Sequence, residues 1–159
     1  MGGYLGRRAV ERAPRELLLR WAAFGCFTPL MQAHARFEQE AWSYDKRTLA
    51  AFRDLVLLHE RLVPYVRAAA ACAARSGVPV IRPLCLLDPD APRGWEISDA
   101  YFFGPSLWVA PVVEEGARAR EVPLPRGEWI DADGTRIRWR EGAWSVTPER
   151  EGRFLANSL

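Results

Sequence analysis

Residues 46–75 carry an apolar stripe at helical spacing that outlasts the usual helix of a globular domain. Leu49, Phe52, Val56, Val63 and Val66 fall mostly at three- and four-residue steps, the mark of one face turned to a core. A helix cannot bury its own stripe, so the rest of the fold must offer a surface to it. Pro64 lies inside the run and removes the N–H that would bond to the Glu60 carbonyl, which predicts a kink. Ser76-Gly77 supplies the stop. Upstream, Pro14 suits a first helical turn and Glu16 the positive end of the helix dipole. Leu17, Leu18, Trp21 and Phe24 then repeat on one face until Gly25 and Pro29 end the run.

The second half of the chain changes period. Residues 78–87 form a short, nearly continuous apolar run between Gly77 and Asp88-Pro89-Asp90. That reads as a strand buried on both faces, as in a parallel barrel. Residues 107–113 are a second such run. From Arg120 onward, strand-like pieces at 121–124, 128–131, 135–139 and 143–146 alternate with Pro and Gly turns, the pattern of an antiparallel sheet. Helices, a buried strand and a β-rich tail imply the end of an α/β domain running into a β-domain, joined near Gly104. A chain of 159 residues has room for one domain, or for one and part of another.

Charge narrows the partners. With 22 Lys+Arg against 20 Asp+Glu, the net charge is only +2. That gives no basic stripe of the kind nucleic acid requires. Lys46 is the sole lysine, which reads as coding bias before recognition. Cys26, Cys72 and Cys85 are odd in number, far apart and outside any CxxC, so buried free thiols in a reducing compartment are expected rather than a disulfide framework or zinc. No apolar run approaches a membrane span, and residues 1–12 lack the apolar core of a signal peptide. The expected location is cytoplasmic.

Few side chains stand out as chemistry. His34 follows the Thr28-Pro29-Leu30-Met31 break, outside helical periodicity, among Gln32, Arg36, Glu38, Gln39 and Glu40. A loop histidine there serves a sugar hydroxyl, acts as a general acid or base, or simply packs. His59 lies on the long helix's stripe and reads as a hydrogen-bonded packing residue; two isolated histidines make no metal site. Glu38 with Glu40, and Asp88 with Asp90, have the cheap spacing of solvated loop charge, and Asp88-Pro89-Asp90 is good turn chemistry. Gly2-Gly3 belongs to no phosphate-binding fingerprint. The seven tryptophans, Trp42, Trp95 and Trp129 among them, read mostly as core, with one or two left to stack on a sugar ring.

Taken together, these residues carry a resemblance. Gly2-Gly3-Tyr4 is similar to a Gly-Gly-aromatic turn after a seventh barrel strand. Glu16-Leu17, Arg20-Trp21, Gly25-Cys26-Phe27-Thr28-Pro29 and His34 follow in the order E-L-x-x-R-W, G-x-F-x-P, R-x-H. Leu62-Val63-Pro64-Tyr65 is similar to a kinked L-x-P-Y helix, and Gly77-Val78-Pro79-Val80-Ile81-Arg82-Pro83-Leu84 to an eighth strand. Gly104-Pro105-Ser106-Leu107 and Val109-Ala110-Pro111-Val112 resemble the crossing into a β-sandwich. From Met1 to about Trp129 the chain resembles the C-terminal part of the catalytic domain of glycoside hydrolase family 31, the α-glucosidase and α-xylosidase family.

The resemblance implies an α/β fold: the C-terminal part of a (β/α)8 TIM barrel over residues 1–104, then the first strands of an antiparallel β-sandwich over 105–159. It implies a retaining α-glycosidase, acting in the parent protein on α-linked glycosides and on glucosides first of all, with no metal or organic cofactor. Both catalytic carboxylates of that family would precede Met1, so no catalytic residue is assigned here and the isolated chain is expected to be inactive. His34 matches the histidine that binds a hydroxyl of the sugar at the cleavage point, and Tyr4 an aromatic lining that subsite. Gln32 departs from the family, where arginine is frequent. Self-association through an exposed barrel edge is expected, with no nucleic acid and no membrane. The alternatives are a non-catalytic sugar-binding or split-protein module that pairs with a chain carrying the rest of the barrel, and a decayed reading frame.

Overall fold

The computed structural model describes residues 13–34, 40–91 and 93–131, and the backbone of three further strands, Arg136–Arg138, Trp144–Pro148 and Leu155–Asn157. The chain divides into two compact units, Met1–Val63 and Pro64–Leu159.

In the first unit, helix α1 (Arg15–Cys26) starts directly after Pro14, whose carbonyl accepts from Leu18 N at 3.1 Å. Pro14 therefore stands one place before the first turn rather than inside it. Glu16 accepts from Arg20 Nε at 2.9 Å, one turn along the same face. The buried face is Leu18, Ala22, Gly25 and Cys26. This corrects the expected stripe, because Leu17, Trp21 and Phe24 are all exposed. Neighbouring helix stripes differ by 100°, and the small side chains of Ala22 and Gly25 mark the face that another backbone can approach closely.

Helix α2 (Lys46–Ser76) is 31 residues long and continuous through Pro64. Asp45 caps it: Oδ1 accepts from Thr48 N at 2.8 Å and from Thr48 Oγ1 at 3.1 Å. At the far end Gly77 takes φ +74° and its N–H bonds to Ala73 O at 2.9 Å. Along the helix the buried positions are Thr48, Leu55 and Ala69, with His59, Leu62 and Val66 half-buried between them. Phe52 and Val66 of the predicted stripe are half-buried, whereas at Leu49, Val56 and Val63 the more buried position is the residue before. Leu49, Val56 and Val63 are 38%, 40% and 42% exposed.

Two sets of contacts fix the direction of these helices. At their starts, the Tyr44 hydroxyl donates to Ala13 O at 2.8 Å and Arg15 pairs with Asp45 at 3.2 Å. At the end of α1, His59 Nδ1 lies 2.8 Å from Cys26 O, so that nitrogen carries the proton. Within this unit α1 and α2 therefore run the same way, and residues 27–45 must retrace the length of α1, about 18 Å.

The Asp45 carboxyl is held below its ordinary range, first by the Thr48 backbone N–H, then by the Thr48 hydroxyl and Arg15 against the opposing effect of desolvation. A depressed folded-state value gives stability above the unfolded pKa of about 3.9, lost as pH falls through the folded value. Asp45→Asn keeps the cap but not the charge. Wild type is expected to melt higher at pH 7, with the gap closing as the pH falls below the ordinary carboxylate range; a gap that ignores pH removes Asp45 from the balance.

The second unit contains an antiparallel six-stranded sheet and a two-stranded sheet. Its strands are β1 (Ile81–Arg82), β2 (Tyr101–Phe103), β3 (Leu107–Val109), β4 (Ala119–Pro123), β5 (Glu128–Asp131), β6 (Arg136–Arg138), β7 (Trp144–Pro148) and β8 (Leu155–Asn157). The larger sheet has the order β1-β2-β3-β8-β5-β6, and β4 pairs with β7. The single buried strand expected at 78–87 is corrected. Only Ile81–Arg82 forms a paired strand, antiparallel to β2, and Leu84–Leu87 is a short helix, α3. Pro83, without an N–H, ends the ladder and opens the helix. Every strand pairing among the described residues is antiparallel, so they contain no stretch of parallel barrel wall.

The core of this unit is aromatic. Phe102 and Trp108 face each other across β2 and β3, their rings 4.9 Å apart and edge to face, and Trp129 of β5 joins them at 5.9 Å from Phe102. Both indoles are satisfied: Trp108 Nε1 donates to Pro123 O and Trp129 Nε1 to Pro125 O, each at 2.9 Å. On the opposite face of the hairpin, Phe103 meets Tyr65 of α2 edge to face at 5.8 Å. The Tyr65 hydroxyl donates to Phe103 O at 2.7 Å and accepts from Ser106 N at 3.1 Å, gripping the turn on both sides of Gly104. Two of the motifs behind the resemblance, Pro64-Tyr65 and Gly104-Pro105-Ser106, thus meet in one contact.

Candidate functional site

The approach to His34 is built at the end of α1. Cys26, Phe27 and Thr28 are buried. The Thr28 hydroxyl lies 2.8 Å from Gly25 O and 2.9 Å from Leu30 O, so its one proton serves the helix end or the outgoing strand of chain. Thr28 N adds a bond to Gly25 O at 3.2 Å, and His59 holds Cys26 O. Pro29 follows, and the chain leaves this anchored corner in an irregular segment. Leu30, Gln32 and His34 are exposed along it. The Gly-x-Phe-x-Pro sequence is therefore a brace, and it delivers His34 to the surface of the first unit.

Past residues 35–39 the same connection turns through a short 3-10 helix, Ala41–Ser43, closed by Ser43 Oγ donating to Glu40 O at 2.7 Å. It projects Trp42, which is 73% exposed. Trp95 in the second unit is also exposed, its Nε1 donating to Pro89 O at 3.3 Å. Of Trp42, Trp95 and Trp129, read as mostly core with one or two left to stack on a sugar, only Trp129 is buried. Tyr4 and Gly2-Gly3, and with them the expected shared mouth of Tyr4 and His34, lie outside the described residues. His59 is half-buried and bonded to a helix end, a packing role as expected.

The other candidates fall away on geometry. Asp88 pairs with Arg126 at 3.6 Å, and its carbonyl accepts from Ala91 N at 3.1 Å, the turn expected there. Glu40 is exposed, and Glu38 is outside the described residues. Burial pushes the Cys26 thiol up to about 12, far from a reactive thiolate. Cys72 is exposed and Cys85 half-buried, against the expectation of buried thiols throughout. Among the described residues no three His, Cys, Asp or Glu side chains converge as metal ligands. Asp45, Tyr44 and Thr28 set the frame of the connection, and none of them stands out in the sequence; Asp45 three residues before Thr48 at a helix start is the available cue.

Comparison with known proteins supplies the class. Residues 1–69 match the family described as "Glycosyl hydrolases family 31 TIM-barrel domain", and residues 77–154 match "Glycosyl hydrolase family 31 C-terminal domain". The sulfoquinovosidase of Escherichia coli is 36% identical over 135 residues, covering 83% of this chain and 20% of that protein. The 1,3-alpha-isomaltosidase of Kribbella flavida is 36% identical over 129 residues, 73% of this chain and 18% of the relative. A solved GH31 alpha-xylosidase from a soil metagenome, complexed with xylose, superimposes with a TM-score of 0.87 at 33% identity over 98% of this chain and 26% of its own. The chain belongs to glycoside hydrolase family 31. It spans about a fifth of the length of those two curated relatives.

Proposed function

We propose that this chain is the sugar-holding part of a retaining α-glycosidase, acting on α-linked glycosides and on glucosides first of all. The observation that carries the reading is His34, exposed just beyond the braced Gly25–Pro29 corner. In this role the imidazole bonds a hydroxyl of the sugar at the cleavage point, and Tyr4 lines the same subsite. Trp42, exposed on the same connection, offers an apolar ring face of the kind that stacks on a pyranose. Retaining hydrolysis needs a carboxylate nucleophile and a carboxyl acid/base about 5–5.5 Å apart. In this reading both come from sequence other than these residues. The chain alone then binds and orients sugar without breaking the bond.

The expected result is that the purified chain releases no nitrophenol from an aryl α-glucoside above a His34→Ala control. Release that His34→Ala abolishes would overturn the reading, since a nucleophile would then have to lie within this chain. A second reading, a module that pairs with a chain carrying the rest of a barrel, is favoured by the exposed stripe of Leu49, Val56 and Val63. Sugar binding belongs to both, and co-purification with a catalytic chain separates them.

A further inference from the structure

His59 does more than pack against the end of α1. The last carbonyls of a helix have no partner within the helix itself. Here Phe24 O accepts from Phe27 N and Gly25 O from Thr28 N, both inside the corner, whereas Cys26 O is held from α2 by His59 Nδ1 at 2.8 Å. The Thr28 hydroxyl, set between Gly25 O and Leu30 O, governs the angle at which the chain departs. His59 thus fixes where the corner sits in the first unit, and Thr28 fixes how the chain leaves it.

What lies beyond the corner has little burial to hold it. Cys26, Phe27 and Thr28 are buried, while Leu30, Gln32 and His34 are exposed and Met31 is half-buried. An extended chain covers at most about 3.5 Å per residue, so the stretch from Cys26 to His34 is a lever of up to about 28 Å. A tilt of a few degrees at its base can carry the imidazole by an ångström or more, which exceeds the tolerance of a hydrogen bond. A ligand-binding group is only as well placed as the side chains that support it. We propose that His59 and Thr28 are positioning residues for His34: neither touches sugar, and together they set how tightly His34 binds it. The consequence for affinity rests on the reading of His34 as a sugar ligand; the placement of the segment does not.

NMR on the full 159-residue chain separates the two. His59→Leu removes the donor and leaves a good helix former in α2, and His59→Asn restores an N–H near the place of Nδ1. Thr28→Val and Thr28→Ser are the matching pair. Without sugar, the backbone amides of residues 30–34 are expected to lose order in His59→Leu and Thr28→Val and to keep it in His59→Asn and Thr28→Ser. With methyl α-glucoside, followed at the His34 imidazole, the two donor-less variants should need about tenfold more sugar than wild type, and the two conservative ones less than about twice as much. Amides of unchanged order in the donor-less variants overturn the positioning role, whatever the sugar does. Loosened amides with unchanged affinity overturn its consequence for binding. A pair whose two members behave alike shows that side-chain volume and not the donor holds the corner, and removes that residue from the proposal. A wild type whose His34 signals ignore the sugar overturns the sugar reading instead, and the amide order then decides the placement alone. Should one donor-less variant fail to fold, the other pair carries the same test.

Discussion

Replacing Gly104 with alanine is expected to destabilise the second unit by about 3 kcal/mol or more, enough to unfold a marginal domain. Two costs coincide. Gly104 sits at φ +62°, where a side chain is strained. A Cβ there would also lie 2.7 Å from Tyr65 Cζ. The ring cannot step aside cheaply, because its hydroxyl is bonded to both Phe103 O and Ser106 N. Tyr65→Phe keeps the ring and should cost only about 1–2 kcal/mol, while Gly104→Ala in a Tyr65→Ala background should lose its steric part and leave the backbone part of about 1 kcal/mol. Urea melts measure all three. A Gly104→Ala variant within about 1 kcal/mol of wild type would show that the turn can rearrange.

The isolated chain is expected to associate, and the helices rather than a barrel strand should be responsible. Leu49, Val56 and Val63 line one face of α2, and Leu17 and Trp21 are exposed on α1. A net charge of +2 gives little repulsion to oppose contact. Strand β1, two residues long, is a poor template beside such faces. Size exclusion with light scattering should show wild type larger than a monomer, and Val56→Lys with Val63→Lys should move it to the monomer position. A wild type that elutes as a clean monomer sinks this expectation.

Local signals are most faithful about where elements start and stop. Spacing, stop residues and length agree on a long helix over residues 46–75, and α2 occupies Lys46–Ser76. Its buried side keeps Phe52 and Val66 of the apolar pattern but lies one residue before it at Leu49, Val56 and Val63. Thr48 at the cap and His59 on Cys26 O orient it, and neither is apolar enough to show in a hydrophobic pattern. The run at 78–87 misleads for a different reason: a continuous apolar stretch suits a buried strand and a helix alike, and Pro83 splits it into one of each. The strand expected at 128–131 is β5, yet its partner β8 comes from residues 155–157, and such distant pairing leaves no trace in local pattern. His34 is legible as a loop residue; the Thr28 brace that presents it is not, since a threonine set between two carbonyls looks like any other in sequence.

The shared direction of α1 and α2 leaves slack in the chain between them. Residues 27–45, fully extended, would reach about 60 Å, whereas the return along α1 needs only about 18 Å. Roughly six residues would close that gap, so most of this segment is not needed to connect anything. Length in excess of span is what lets a connection carry a shape of its own, and His34 and Trp42 both lie within the surplus. Shortening it elsewhere would leave the helices joined, while insertions there could alter what the loop presents without disturbing the Tyr44 and His59 contacts at its two ends.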